Sequence, residues 1–201
     1  MALPAEKLEH SMTLPEYLTF EETSEVRHEF HDGQVLAMSG GTYAHARVTT
    51  NLTGTLLAKL RGTPCEVLDS NMRVAVARSR RFVYSDASIV CSGPVFHPED
   101  PKKTTIINPR VLFEVLSDGT EAYDRGEKFE KYRQIDGLQE YILLSQHRPI
   151  FESYLRLEDG TWNFTAWEGT DAVAEVRAMD LKLPLSELYP QTAVDGVDPK
   201  P

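Results

Sequence analysis

The sequence is poor in cysteine, in long apolar runs and in basic charge. Two cysteines, Cys65 and Cys91, stand in 201 residues, too few for a disulfide framework or a zinc site. Isolated thiols of this kind belong to a reducing compartment, so a cytoplasmic home is expected. No stretch reaches the roughly 18 apolar residues that a membrane span needs. The opening segment MALPAEKLEHSM has no apolar signal core, which argues against secretion. Basic charge is also short: 21 Lys and Arg face 31 Asp and Glu, for a net charge of −10. Taken whole, such a chain repels a polyanion. There is no internal repeat and no low-complexity tract, which excludes solenoids and arrays.

What is present is globular. Hydrophobic residues make up 41% and charged residues 26%, enough for one packed domain over residues 1–201 with loose ends at 1–11 and 190–201. The charge is unevenly spread. Residues 41–110 hold ten bases against five acids, densest at Arg73, Arg78, Arg80 and Arg81. Such a cluster is either a solvated hairpin rim or an electrostatic footprint for phosphates.

Thr13-Leu14-Pro15-Glu16 carries the signature of a capped helix start. Asp32-Gly33 between two short extended runs marks a hairpin. Residues 43–61 form a helix on the four-residue recurrence of Val48, Leu52, Leu56 and Leu60, stopped by Gly62 and Pro64. The period then changes to that of strands at Cys65–Asp69, Met72–Ala77, Phe82–Tyr84 and Ala87–Cys91. Pro94 to Pro109 is a proline-rich loop. Val111–Leu116 is nearly all apolar, as suits a strand covered on both faces. A helix over Glu121–Ile135 precedes strands at Glu140–Leu144, Ile150–Leu157 and Trp162–Trp167. The expected class is α/β, a mixed sheet flanked by helices with an N-terminal helix and hairpin.

Three residues stand out chemically. Glu114 is a lone carboxylate inside the apolar run Val111–Leu116. Buried without compensation it would cost several kcal/mol, so it needs a cation, a metal or a proton. Asp86 immediately precedes the strand Ala87–Cys91, where it can project into a cleft. If the two carboxylates meet, a divalent cation with hard oxygen ligands, Mg²⁺ or Mn²⁺, relieves their repulsion. The third is a lysine on the helix after Glu114. At about 100° per residue, Ala122, Phe129 and Tyr132 define its apolar face, with Lys128 roughly 80° from the centre and Lys131 roughly 140°. Lys128 therefore flanks the sheet and Lys131 faces solvent. The competing explanation for Lys128 is an i,i+4 pair with Asp124. His28, His31 and His45 fit no zinc pattern.

Several segments together resemble a known family. They are Glu29-Phe30-His31-Asp32-Gly33-Gln34, His45-Ala46-Arg47, Tyr84-Ser85-Asp86, Asn108-Pro109-Arg110-Val111-Leu112-Phe113-Glu114-Val115-Leu116-Ser117, Tyr123-Asp124-Arg125-Gly126-Glu127-Lys128, Tyr132 and Glu140-Tyr141. In this order they resemble the Uma-type restriction endonucleases of the PD-(D/E)XK nuclease superfamily, over about residues 12–189. The resemblance implies a restriction-endonuclease-like core, Asp86 and Glu114 as ligands of Mg²⁺ or Mn²⁺, and Glu29 as an additional acidic residue from an N-terminal element. It also implies DNA as partner, homodimerisation, and a phosphate or helix-capping role for His45. Two departures are visible. Leu116 stands where the superfamily has its lysine, and the resemblance points to Lys128 as the replacement. Ser85 stands where a proline usually precedes the aspartate.

The leading expectation is a metal-dependent endonuclease hydrolysing DNA phosphodiesters, with Asp86, Glu114, Lys128 and Glu29 in the site. Arg73, Arg78, Arg80, Arg81 and His45 would contact nucleic acid. A non-catalytic nucleic-acid or protein-binding module on the same fold is the alternative, favoured by Leu116 and by the net charge. An acid–base hydrolase using the two carboxylates alone would need neither metal nor Lys128.

Overall fold

The structure, a computed structural model, describes residues 11–38 and 40–189. The tails expected at 1–11 and 190–201 lie outside the described residues, Ser11 excepted.

Thr13 and Glu16 close the reciprocal capping box, and helix α1 (Leu14–Thr23) buries Tyr17 and Leu18. Strands β1 (His28–His31) and β2 (Gln34–Ala37) form the hairpin. Its two-residue turn needs left-handed backbone at both positions, and Asp32 (φ 47°) and Gly33 (φ 99°) supply it. Thr42 caps α2 (Tyr43–Lys59), whose inward stripe is Val48, Leu52 and Leu56.

Strands β3 (Cys65–Asp69), β4 (Arg73–Val76), β5 (Arg81–Tyr84) and β6 (Ala87–Cys91) follow. The proline-rich stretch expected as loop contains a two-residue strand, β7 (Thr105–Ile106), which pairs parallel with β4. After β8 (Val111–Leu116) comes α3 (Glu121–Tyr123), a π-helical turn over Asp124–Lys128, and α4 (Phe129–Tyr132). The expected single helix over 121–135 is thus broken in pitch at its middle. Strands β9 (Glu140–Ser145), β10 (Ile150–Arg156) and β11 (Trp162–Glu168) form a meander. Beyond them, β12 (Val173–Val176), β13 (Leu181–Pro184) and α5 (Leu185–Leu188) carry too weak a pattern to be signalled by the sequence.

The strands form two larger sheets rather than one, in the orders β2-β1-β5-β4-β7 and β11-β10-β9-β8-β6-β3, with a β12-β13 ribbon beside them. The chain passes from the first sheet to the second over Ser85-Asp86. Within the six-stranded sheet, β8 runs parallel to β9 and antiparallel to β6. All six residues of β8 are buried, and their alternation decides what each face meets. Val111, Phe113 and Val115 pack with α2, the β12-β13 ribbon and α5. Leu112 and Leu116 pack with Tyr132, Leu138 and Tyr141 on the other side. Glu114 shares the face of Leu112 and Leu116 by the two-residue period, and so looks toward the helix over 121–132.

Cys65 and Cys91 are register partners across β3 and β6 and are joined as a disulfide. This corrects the expectation of two lone thiols and removes its inference of a reducing compartment. The spacing in sequence held no sign of the pairing, because opposition across strands is set by register. Among the described residues no helix is long and apolar enough to cross a membrane.

Unreduced protein unfolded in guanidinium should show no thiol reactive to Ellman's reagent, and two after reduction. A link spanning 26 residues restricts the unfolded chain by about 3–4 kcal/mol, and denaturant unfolding with and without reductant should differ by that order. Two reactive thiols before reduction would contradict the pairing.

Candidate active site

Four segments converge on the C-terminal half of β8: the end of β5 with Asp86, strand β1, the first turns of α2, and the π-helical turn. Continuing the β6–β8 register by one step sets Asp86 beside Glu114. Asp86 is fixed from both ends. Its backbone N–H donates to Phe113 O at 3.1 Å, and its Oδ2 accepts the Val115 N–H at 2.7 Å. His45 Nε2 lies 3.2 Å from the same oxygen.

Glu114, only 4% exposed, is held by its Oε1. Lys128 Nζ lies 2.9 Å from that atom, and the Tyr132 hydroxyl donates to it at 2.9 Å. Lys128 is itself buried. It donates to Tyr84 O at 3.0 Å and lies 3.5 Å from Asp124 Oδ1 and 3.9 Å from Glu29 Oε1. Glu29 accepts the Tyr84 N–H on Oε1, while its Oε2 sits 2.9 Å from His31 Nε2.

The π-helical turn explains how one short helix supplies Asp124, Lys128 and Tyr132 to the same face. Along a regular α-helix each four-residue step rotates the side chain by about 40° in one sense. The wider π turn rotates it the other way, so the two successive steps offset each other. Single π turns of this kind concentrate at functional sites. The angular estimate from the sequence rested partly on Ala122, which is in fact exposed. Lys131 pairs with Glu130 instead of facing the cluster.

Three carboxylates thus surround one ammonium, with Asp86 as a further acid in the cluster, and the directions of the pKa shifts follow from that imbalance. Burial raises the Glu114 pKa well above the usual carboxylate range. Lys128 opposes the rise, and the charges of Asp124 and Asp86 add to it. Asp124 is raised for the same reasons, by burial and by Asp86 and Glu29 against the pull of Lys128. Glu29 goes the other way, because Lys128, His31 and the Tyr84 N–H together outweigh its burial. Burial would lower the Lys128 pKa, but Glu114, Asp124 and Glu29 reverse the sign and hold it protonated. For His45 too, burial is outweighed, here by Asp86 and Asp124, and its pKa is raised.

Asp86, Glu114, Lys128 and Glu29 therefore meet in one place. His45 joins them by gripping Asp86. His31, which had no role in the sequence reading, joins through Glu29, whereas His28 is tied to Glu21. Asp124 and Tyr132 are members that the sequence reading did not nominate as site residues, although both lie in the segments that carry the family resemblance and recur at four-residue spacing with Lys128. The arginines behave differently. Arg73 is 4% exposed, lies over the Tyr17 ring and pairs with Asp100, so it is interior and withdrawn from any phosphate-contacting face. Arg78, Arg80 and Arg81 are paired with Asp136, Asp32 and Glu127.

Glu114 Oε2 and Asp86 Oδ1 accept no hydrogen bond among the described residues. Each carboxylate thus has one oxygen fixed by protein donors and one left available. No three His, Cys, Asp or Glu side chains among the described residues form a closed metal cage. A pair suffices for Mg²⁺, which commonly keeps several waters and takes one or two carboxylates.

Comparison with known proteins agrees with this architecture. The Uma2 family model, described as "Putative restriction endonuclease", matches residues 14–186. The uncharacterized protein slr1290 of Synechocystis sp. is 33% identical over 175 residues, covering 87% of this chain and 89% of its own. A second from the same organism, sll1609, is 32% identical over 170 residues, covering 85% and 95%. The crystal structure of "a putative nuclease belonging to DUF820" from Anabaena variabilis has the same fold, with a TM-score of 0.71 at 14% identity over 91% of this chain and 99% of that one. With the family model spanning nearly the whole described chain, the protein belongs to the Uma2 family.

Proposed function

We propose that this protein is a metal-dependent endonuclease that hydrolyses DNA phosphodiester bonds, with Asp86 and Glu114 holding Mg²⁺ or Mn²⁺. The observation that carries this reading is Lys128: a buried ammonium 2.9 Å from Glu114, delivered by a π-helical turn to the site that Leu116 leaves without a lysine. The donor set fits a hard divalent cation, since each carboxylate keeps one uncommitted oxygen and the cluster carries more acid than base. When bound, such a cation supplies Lewis-acid charge at the phosphate and lowers the pKa of a coordinated water.

The protein's own groups do the rest. The Val115 N–H and His45 fix Asp86, and Tyr132 with Lys128 fixes Glu114, so neither carboxylate has to be ordered on binding. Lys128 also places positive charge where a phosphorane would develop negative charge. Glu29 and Asp124 hold the ammonium from its other sides and keep it charged. Homodimerisation would provide two such sites for two strands.

The second reading, a non-catalytic binding module, draws on Leu116 and the net charge of −10. In that case the Lys128–Glu114 pair is purely structural. Supercoiled plasmid incubated with Mg²⁺ or Mn²⁺, with and without EDTA, separates the two. Under the nuclease reading, Lys128→Met loses cleavage by on the order of 10²–10³ but still binds Mn²⁺. Glu114→Gln loses cleavage and metal together, and Lys131→Ala is close to wild type. A wild type that leaves plasmid intact in both metals sinks the nuclease reading.

A pH signature follows from the raised Glu114 pKa. The folded, metal-free protein holds this proton more tightly than the unfolded chain. Stability is therefore full below the unfolded value of about 4.3 and falls as pH rises toward the folded value, by up to about 1.4 kcal/mol per pH unit. Denaturant melts across pH 4–8 should show that decline in wild type and a flatter one in Glu114→Gln. Parallel pH profiles would contradict the assignment.

A further inference from the structure

Tyr43, in the first turn of α2, is 75% exposed, more than any other large hydrophobic side chain among the described residues. Its ring is braced. The Arg47 guanidinium lies over it, 5.8 Å from the centroid, and Arg47 Nη1 donates to the Tyr43 hydroxyl at 3.0 Å. The ring therefore stands on the outer face of the helix with a cation behind it. Among the described residues neither Arg47 nor Arg148 makes an ion pair, whereas Arg78, Arg80 and Arg81 all do.

The position of this pair ties it to the carboxylate site. The Thr42 hydroxyl donates to Gln146 Oε1 at 2.7 Å, docking the first turn of α2 onto the turn between β9 and β10, which also carries exposed His147 and Arg148. That turn follows the C-terminal end of β9, the parallel neighbour of β8. Two residues after Tyr43, His45 points inward to Asp86. Tyr43 and His45 thus sit on opposite faces of one helical turn, separated by about one helix diameter, roughly 10 Å.

We propose that Tyr43 and Arg47 form a stacking platform for an unpaired base, and that this surface admits a single-stranded segment of nucleic acid to the site. The inference rests on the nuclease reading for where the scissile phosphate lies. Two observations favour a single strand over a duplex. An isolated aromatic ring on a convex helix face stacks on a base only if that base is unpaired. Glu114 and Lys128 are almost completely buried, so a phosphate reaches them more readily on a flexible strand than on a rigid duplex. The free cations Arg47 and Arg148 provide the backbone charge that the paired arginines of the β4–β5 turn do not.

Fluorescence anisotropy with a labelled single-stranded oligonucleotide and its duplex, in Ca²⁺, tests this. Wild type should bind the single strand more tightly than the duplex. Tyr43→Ala should weaken single-strand binding roughly ten- to a hundred-fold, with little change for the duplex, and Tyr43→Phe should retain it. The side chain is exposed, so the variants should melt like wild type. Single-strand binding by Tyr43→Ala equal to wild type, or a wild type that prefers duplex, overturns the proposal. Plasmid cleavage in Mn²⁺ by the same proteins separates the two claims. A wild type that cleaves, with binding indifferent to Tyr43, leaves the nuclease reading and removes the platform. A wild type that does not cleave but binds single strands through Tyr43 does the reverse.

Discussion

An ammonium buried against a strand of the central sheet is what the site depends on. A charge placed in the interior is tolerated only when paired and hydrogen-bonded, and removing one partner of such a pair typically costs about 3–5 kcal/mol. Lys128 meets that condition with Glu114, Asp124, Glu29 and the Tyr84 carbonyl. Those partners come from β8, from its own helix, from the hairpin and from the end of β5. The pair therefore fixes the position of the helix over 121–132 on one sheet and ties the two sheets together at their junction. It also sets the ionisation of the cluster. One ammonium among several acids leaves the carboxyl pKa values of Glu114 and Asp124 raised by burial and by neighbouring acids, while that of Glu29 is lowered by Lys128 and His31 against its burial.

The same imbalance would reconcile an acidic chain with the polyanionic substrate proposed for it. With a net charge of −10 and an acidic centre, the metal-free protein repels phosphate where the chemistry would occur. A divalent cation between Asp86 and Glu114 would change the sign of that local field. Val115 and His45 hold one oxygen of Asp86, and Lys128 and Tyr132 one oxygen of Glu114, while the other oxygen of each accepts no hydrogen bond among the described residues.

How much of this was legible in the sequence differs from residue to residue. Glu114 was, because a single carboxylate in an otherwise apolar strand demands a partner wherever the chain folds. Asp86 was, because it lies at a strand start. Lys128 was preferred over Lys131 by helical phase, yet the phase was reckoned on a regular helix with Ala122 inside, and the real helix has a π turn with Ala122 outside. That turn depends on a shift of backbone hydrogen bonding with no local side-chain signature, so Asp124 stayed hidden as a mere i,i+4 partner. Arg73 misled for a related reason. Its place in a basic cluster suggested the surface, and only the tertiary packing of Tyr17 and Asp100 explains its burial. The Cys65–Cys91 bond was invisible because register, not spacing, opposes the two strands. The helix start at Thr13 and the hairpin at Asp32-Gly33 were legible because they are settled by neighbours in the chain.

The account stands or falls on whether Asp86 and Glu114 together take a divalent cation. Calorimetric titration of Mn²⁺ into wild type and Asp86→Ala measures this without reference to any substrate. The expected result is a saturable binding heat in wild type that disappears in Asp86→Ala while the variant keeps its fold by circular dichroism. Equal heats in the two proteins, or no binding in wild type, would contradict it.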